Sequence, residues 1–307
     1  MKTYHLFRIV AGVIVTVITL ILSSPGAYAD GATRTWVSGV GDDVNPCSRT
    51  APGKTFPGAI SKTAAAGEIN VLDPGGFGAV TITKSMTIDG GGFIAGVLTS
   101  GTNGITVNAG ANGVVTLRHL DIDGSTAAGS GIVINSAAEV NIEDCVIYEY
   151  AGKGIDIANT SGCRVNIIRT IVRGCTAGAV NAHGAGGTIV TISKSYLLNS
   201  LYGYRGEDGS TASIEDTVAA GNANNGILAV ASSAPALVNV NNCTVTDNGV
   251  NGVVTSGPNA TIRMSLTTVS ANGLGLGHAT GAVVSFGNNR VSGNTTNGTP
   301  SSTIPLQ

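Results

Sequence analysis

Five side chains able to move protons or hold ions lie within a short reach of the chain: Asp156, His183, Arg205, Glu207 and Asp208, with Tyr202 and Tyr204 beside them. Carboxylates next to a cation could support general acid–base chemistry, or hold a divalent ion that bridges an acidic sugar. The tyrosines offer rings on which sugars stack. Surface charges of this kind also commonly do no more than face solvent, and that plainer reading stands beside the functional one. Only 11% of the 307 residues are charged, so such a gathering is a local event. Whether these residues meet depends on the elements that carry them.

Glycines that open short apolar runs stand at 104, 131, 154, 178, 203, 226, 252, 275 and 298, about 24 residues apart. Runs such as Gly131-Ile-Val-Ile and Gly154-Ile-Asp-Ile follow them. About ten residues on comes a second block, as in Val140-Asn-Ile-Glu-Asp-Cys-Val-Ile and Val238-Asn-Val-Asn-Asn-Cys-Thr-Val. Its first, third and eighth positions are apolar. The first and third alternate as in a strand, the fourth and fifth make a bend, and the eighth belongs to a further strand. One repeat cannot bury its own apolar face, so repeats must stack. The period is too short for propeller blades and lacks a leucine-rich signature. The reading is an all-β solenoid, a right-handed parallel β-helix with three strands per coil.

Stacking turns equal offsets into columns. Counting from each glycine, offset 2 gives Thr106, Val133, Asp156, Val180, Arg205, Leu228 and Val254, an outward column. His183, Glu207 and Asp208 follow at nearby offsets, which makes one face of consecutive coils a candidate carbohydrate-binding groove. The fifth block position forms another column, His119, Asp144, Arg169, Lys194, Asp216 and Asn242. There Asp144 should pair with Arg169 and Lys194 with Asp216, for structure alone. Asn222, Asn248, Asn272 and Asn294 share one offset in four successive repeats and should form a hydrogen-bonded ladder.

The ends divide the chain into four segments. Residues 1–29 carry a basic start, an apolar run from Ile9 to Leu22 and Ala27-Tyr28-Ala29, the pattern of a cleaved signal peptide. The apolar run is shorter than the about twenty residues that a membrane span needs. A secreted or periplasmic protein is expected, with no membrane segment after cleavage. Residues 30–67 form an N-terminal capping segment, with an amphipathic helix over 55–67 that Thr55 caps. Residues 68–298 are the β-helix, opened by a first coil of Glu68–Leu72, Ala79–Thr83 and Met86–Asp89, and 299–307 are a loose tail.

The formal net charge of −2 removes the basic footprint that nucleic-acid binding needs. Five cysteines in an oxidising compartment invite disulfides, but Cys145 and Cys243 lie four coils apart, about 19 Å by strand spacing. That exceeds the reach of a bridge, about 7 Å. Cys163 and Cys175 sit on different turns of one repeat and leave pairing open. Most thiols should be free, buried filler. His119, His183 and His278 share no offset, so no metal is expected from them.

The order of signal peptide, Thr35-Trp-Val-Ser-Gly, capping helix, Ile69-Asn-Val-Leu-Asp-Pro-Gly-Gly and three-strand coils resembles the secreted bacterial right-handed parallel β-helix repeat proteins of the pectin-lyase-like superfamily. In the nearest subgroup a stretch like Asn45-Pro-Cys-Ser-Arg-Thr-Ala-Pro52 precedes a second cysteine, where this chain has Gly53; the local bridge of Cys47 is thereby lost. The resemblance implies either a polysaccharide lyase or hydrolase acting on acidic polysaccharide, or a protein that binds glycans or builds the cell envelope. Of the polygalacturonase motifs, Asp121-Ile-Asp123 and Ala182-His-Gly184 remain, without an Asp-Asp in the coils or an Arg-x-Lys. The nonapeptides of calcium-binding β-rolls are absent. No cofactor is indicated by a motif, calcium included. A polysaccharide is the expected partner, and low charge with few aromatics favours binding or a structural surface role over catalysis. A rigid stalk is a third option.

Overall fold

The computed structural model describes residues 31–305 except 100, 126, 127 and 185. The segment expected to be a signal peptide, residues 1–29, lies outside the described residues. From Ala32 onward the chain winds into a parallel β-solenoid with sheets of twelve, ten and nine strands. Each turn visits the three in that order. Thus Glu139–Glu143 belongs to the twelve-stranded sheet, Val146–Tyr148 to the ten-stranded sheet and Ile155–Ile157 to the nine-stranded sheet. Every strand pairs in parallel with its equivalent one turn away, so like residues stack on like.

The inward columns are apolar and mostly β-branched. Ile132 pairs with Ile155, Ile155 with Val180, Val180 with Tyr204 and Tyr204 with Ile227. All five are buried. Val140, Val165, Val190, Ala212, Val238 and Ile262 form the matching column of the twelve-stranded sheet. Burying such side chains contributes about 1.5–3 kcal/mol each, and stacking multiplies the gain at every turn.

The bend at the fifth block position is a left-handed residue in seven successive coils from His119 to Leu266, with φ of 56° at His119, 52° at Asp144, 48° at Arg169 and 51° at Lys194. This conformation turns the chain from the twelve- to the ten-stranded sheet and splays the side chains outward. Arg169 grips Asp144 with two hydrogen bonds of 2.7 Å. The expected pairing of Lys194 with Asp216 is replaced by a 2.7 Å hydrogen bond from Asn242 to Asp216. The asparagine ladder is present. Each Nδ2 donates to the next Oδ1: Asn222 to Asn248 at 2.9 Å, Asn248 to Asn272 at 2.8 Å and Asn272 to Asn294 at 2.8 Å.

Three boundaries differ from expectation. The helix spans only Phe56–Ile60, capped by the Thr55 hydroxyl, which accepts from the Gly58 amide at 3.0 Å. Its Phe56 packs on Phe77 with centroids 5.2 Å apart. Thr63–Val71 then runs as a strand instead of finishing the helix. The alanines at 64–66 favour helix, but they fall in an irregularity between Thr63, paired with Ala32, and Gly67–Val71, which pairs with Arg34–Val37 and Met86–Asp89. Met86–Asp89 therefore opens the second turn; Val80–Ile82 and Gly75–Gly76 complete the first. The tail is anchored as well, with Ser302 and Thr303 pairing with Val284 and Ser285. All five cysteines, Cys163 and Cys175 included, are free and buried. Among the described residues no helix is long and apolar enough to cross a membrane.

Candidate functional site

The outer face of the nine-stranded sheet carries its side chains in register. Thr106, Val133, Asp156, Asn181, Arg205, Leu228 and Val254 form one outward column. Asn181 stands where Val180 was expected; Val180 is in the core. The reason is a one-residue slip. Ala179, not Gly178, occupies the place of the anchoring glycine, and its carbonyl accepts from the Ile155 amide at 2.8 Å. His183 and Glu207 follow two residues after Asn181 and Arg205 on neighbouring turns. The His183 amide donates to the Ile157 carbonyl and the Glu207 amide to the Ala182 carbonyl, so this edge of the sheet stays aligned.

Asp156 is the hub. Its Oδ1 meets His183 Nε2 at 2.7 Å and Lys153 Nζ at 2.9 Å. On the next two turns Asn181 lies between Asp156 and Arg205. Asn181 is 2% exposed, yet its Oδ1 has no hydrogen-bond partner. Arg205 Nε lies 2.9 Å from Glu207 Oε1, close enough for an ion pair. The angle is poor, however, and Nε is buried without an aligned acceptor.

Tyr202 closes the cluster on one side, its ring lying over Gly178. A Cβ on Gly178 would sit 2.2 Å from the Tyr202 ring, and Gly178 has a φ of +124°. Glycine is required there on both counts. The Arg205 guanidinium lies 5.8 Å from the Tyr202 centroid. Burial pushes the Tyr202 hydroxyl up to about 12; Arg205 pulls it back, while Glu207 and Asp156 push it further.

The sequence-predicted residues thus divide. Asp156, His183, Arg205 and Glu207 share one surface, with Tyr202 beneath its edge. Tyr204 does not join them: it points into the core and is fully buried, and burial pushes its hydroxyl upward. Neither tyrosine ring is exposed enough to act as a sugar platform. Asp208 is committed elsewhere. Its carboxylate accepts from the Ser232 amide at 2.8 Å and the Ser233 hydroxyl at 2.6 Å, tying down the loop of the next turn. Lys153 and Asn181 complete the site but were not singled out from the sequence. Lys153 directly precedes a repeat glycine, and the slip at Ala179 hid Asn181. Among the described residues no group of three or more His, Cys, Asp or Glu side chains is placed to hold a metal.

The three parallel sheets and the in-register columns define a parallel β-helix protein. The family described as right handed beta helix region matches residues 103–266, more than half of the chain, and the chain belongs to it. Among solved structures it is similar to one titled "Crystal structure of pectate lyase Pel9A". The TM-score is 0.64 and the identity 15%, covering 89% of this chain and 78% of that one. At that identity the likeness is one of fold. No curated protein matches.

Proposed function

We propose that the protein is an exported glycan-binding β-helix protein whose binding face is the Asp156–Arg205 surface of the nine-stranded sheet. One observation carries this reading. Two carboxylates, two ion-paired cations, an imidazole and an amide converge on three consecutive turns, and the central amide oxygen of Asn181 lacks a partner. Such a mixture of donors and acceptors suits hydroxyl groups, each of which both donates and accepts. The signal-like residues 1–29 support export to a secreted or periplasmic location, where polysaccharides are met.

A second reading, catalysis on an acidic polysaccharide, draws on the 2.7 Å contact of His183 with Asp156, an arrangement able to orient an imidazole for proton transfer. The likeness to a pectate lyase is compatible with it, as fold analogy. Affinity electrophoresis through gels containing a panel of neutral and uronic-acid polysaccharides tests the first reading. Retarded migration of the wild type, lost in a folded Asp156→Ala variant, is expected. Migration unaffected by every glycan defeats it. Incubation with the same uronic-acid polymers tests the second: ultraviolet-absorbing unsaturated products mark a lyase, and new reducing ends alone a hydrolase.

A further inference from the structure

Resting on the glycan-binding reading, we infer that this face recognises a neutral, hydroxyl-rich glycan and not a polyanion. The first argument is charge. Lys153 is already neutralised by Asp156 at 2.9 Å, and Arg205 by Glu207 at 2.9 Å. The flanking outward positions on the same sheet are Thr106, Val133, Leu228 and Val254 in one column, and Asn225 and Asn251 in another. None is charged. With a chain net charge of −2, neither Lys153 nor Arg205 offers a polyuronate an uncompensated cation. His183 is itself held to a carboxylate that already carries Lys153. An anion would have to break an internal ion pair for each one it formed.

The second argument is the unmet valence. Asn181 Oδ1 is an acceptor without a donor. An ionised carboxylate or a sulfate presents only acceptors, so the donor must be a hydroxyl of the glycan; this argument calls for hydroxyls, and the charge argument disfavours a chain that carries carboxylates as well. A buried polar group left unpaired costs about 1–3 kcal/mol, so a hydroxyl that reaches it recovers a real penalty. Reaching it requires a neighbour to swing aside. Arg205 pairs with Asn181 in register on the adjacent turn, and we assign that movement to it. It is the cation of the cluster held without an aligned hydrogen bond, and its side chain is 34% exposed. Its outward swing opens Asn181 and leaves the guanidinium free to donate to a second hydroxyl of the same sugar.

The test is affinity electrophoresis at low and high salt through gels of mannan, xylan, β-glucan and starch, and separately of polygalacturonate and alginate. Retention by at least one neutral polymer, insensitive to salt, is expected. An Asn181→Leu variant should bind about tenfold more weakly, whereas Asn181→Asp, which keeps an acceptor, should stay within about threefold of wild type. Circular dichroism confirms that each variant folds. Retention confined to polygalacturonate or alginate and abolished by salt overturns the inference while leaving glycan binding intact. Retention by no polymer overturns both. Equal weakening by Leu and Asp at position 181 removes the role given to its acceptor.

Discussion

Asn248 Nδ2 donates to Asn272 Oδ1 at 2.8 Å across one turn of the solenoid, and the same Oδ1 accepts from the Asn248 amide at 3.0 Å. Asn272 in turn gives its Nδ2 to Asn294 Oδ1 at 2.8 Å and to the Val245 carbonyl at 3.1 Å. One side chain thus satisfies buried backbone and side-chain groups on three turns. Asn272→Ala should cost about 3 kcal/mol, because several buried groups lose partners at about 1–3 kcal/mol each and water recovers only some of them. Asn135→Ala is the control. Its pair with Asn108, at 3.0 Å, is exposed, and the loss should be within about 0.5 kcal/mol. Urea unfolding of the three proteins decides; equal midpoints for the two variants would remove the energetic role of the ladder.

That ladder was readable because one residue type recurs at one offset. Ile132, Ile155 and Ile227 were readable for the same reason and share one buried column. A second ladder was not. The Cys145 amide faces Thr170 Oγ1 at 3.4 Å, the Thr170 amide faces Ser195 Oγ at 3.2 Å and the Ser195 amide faces Thr217 Oγ1 at 3.4 Å. Thr, Ser and Cys share the chemistry but not the letter. The site was half legible for a related reason. Glycine counting finds Asp156 and Arg205, but Ala179 in the glycine place shifts the register by one and conceals Asn181. The early end of the helix was hidden because the sheet pairing of Thr63 and Gly67–Val71, a long-range effect, fixes the chain on both sides of the alanines at 64–66 against their local preference.

Acid should unfold this protein through a few aspartates. Burial alone would raise Asp43, but the Thr55 hydroxyl, the Thr55 and Lys54 amides and Lys62 hold its carboxyl below the ordinary 3.8. At Asp89 burial is likewise outweighed, by His119, the Gly91 amide and Arg118. Arg169 holds Asp144 low. A depressed folded pKa means that the unfolded chain takes up protons first, so stability rises with pH through this window. The contribution is complete above 3.8 and is lost as pH falls through it toward the lower folded values. Urea midpoints measured from neutrality into acid should show this decline, and Asp43→Asn should be less stable at neutral pH with a shallower decline. An unchanged slope in that variant would remove Asp43 from the account.

Gly53 faces Cys47 across the N-terminal loop, and a Cβ placed on it would lie 2.6 Å from the Cys47 sulfur. That is too close for an unbonded neighbour and is the direction in which a bridge would form. Gly53→Cys should therefore oxidise, joining the introduced sulfur to that of Cys47 in a disulfide. The closed loop is short, so the gain is at most about 2 kcal/mol. The wild type has five cysteines and should titrate five thiols when denatured without reductant. The variant gains one thiol and loses two to the bridge, so it should titrate one fewer than the wild type. In the native wild type burial pushes Cys145 up to about 12 and Cys175 and Cys243 up to about 11, so these should resist alkylation at neutral pH. A titration of the oxidised variant that finds every thiol free would contradict the loop geometry.

Gly178 and Tyr202 form a pair whose energies should not add. Gly178→Ala introduces two penalties. A φ of +124° is strained for any L-residue, at a cost of about 1–3 kcal/mol. The new methyl group also enters the Tyr202 ring, 2.2 Å from its nearest carbon. Tyr202→Ala alone loses the burial of a ring that is 5% exposed, and costs about 3–5 kcal/mol by analogy with other aromatic truncations. In the double variant the strain remains but the clash has gone, so the sum should fall short of additivity by about 1 kcal/mol or more. A double-mutant cycle read by denaturant unfolding measures that term directly. Strict additivity would mean that the ring does not rest on Gly178. The floor of the proposed binding face would then be organised by something other than this contact.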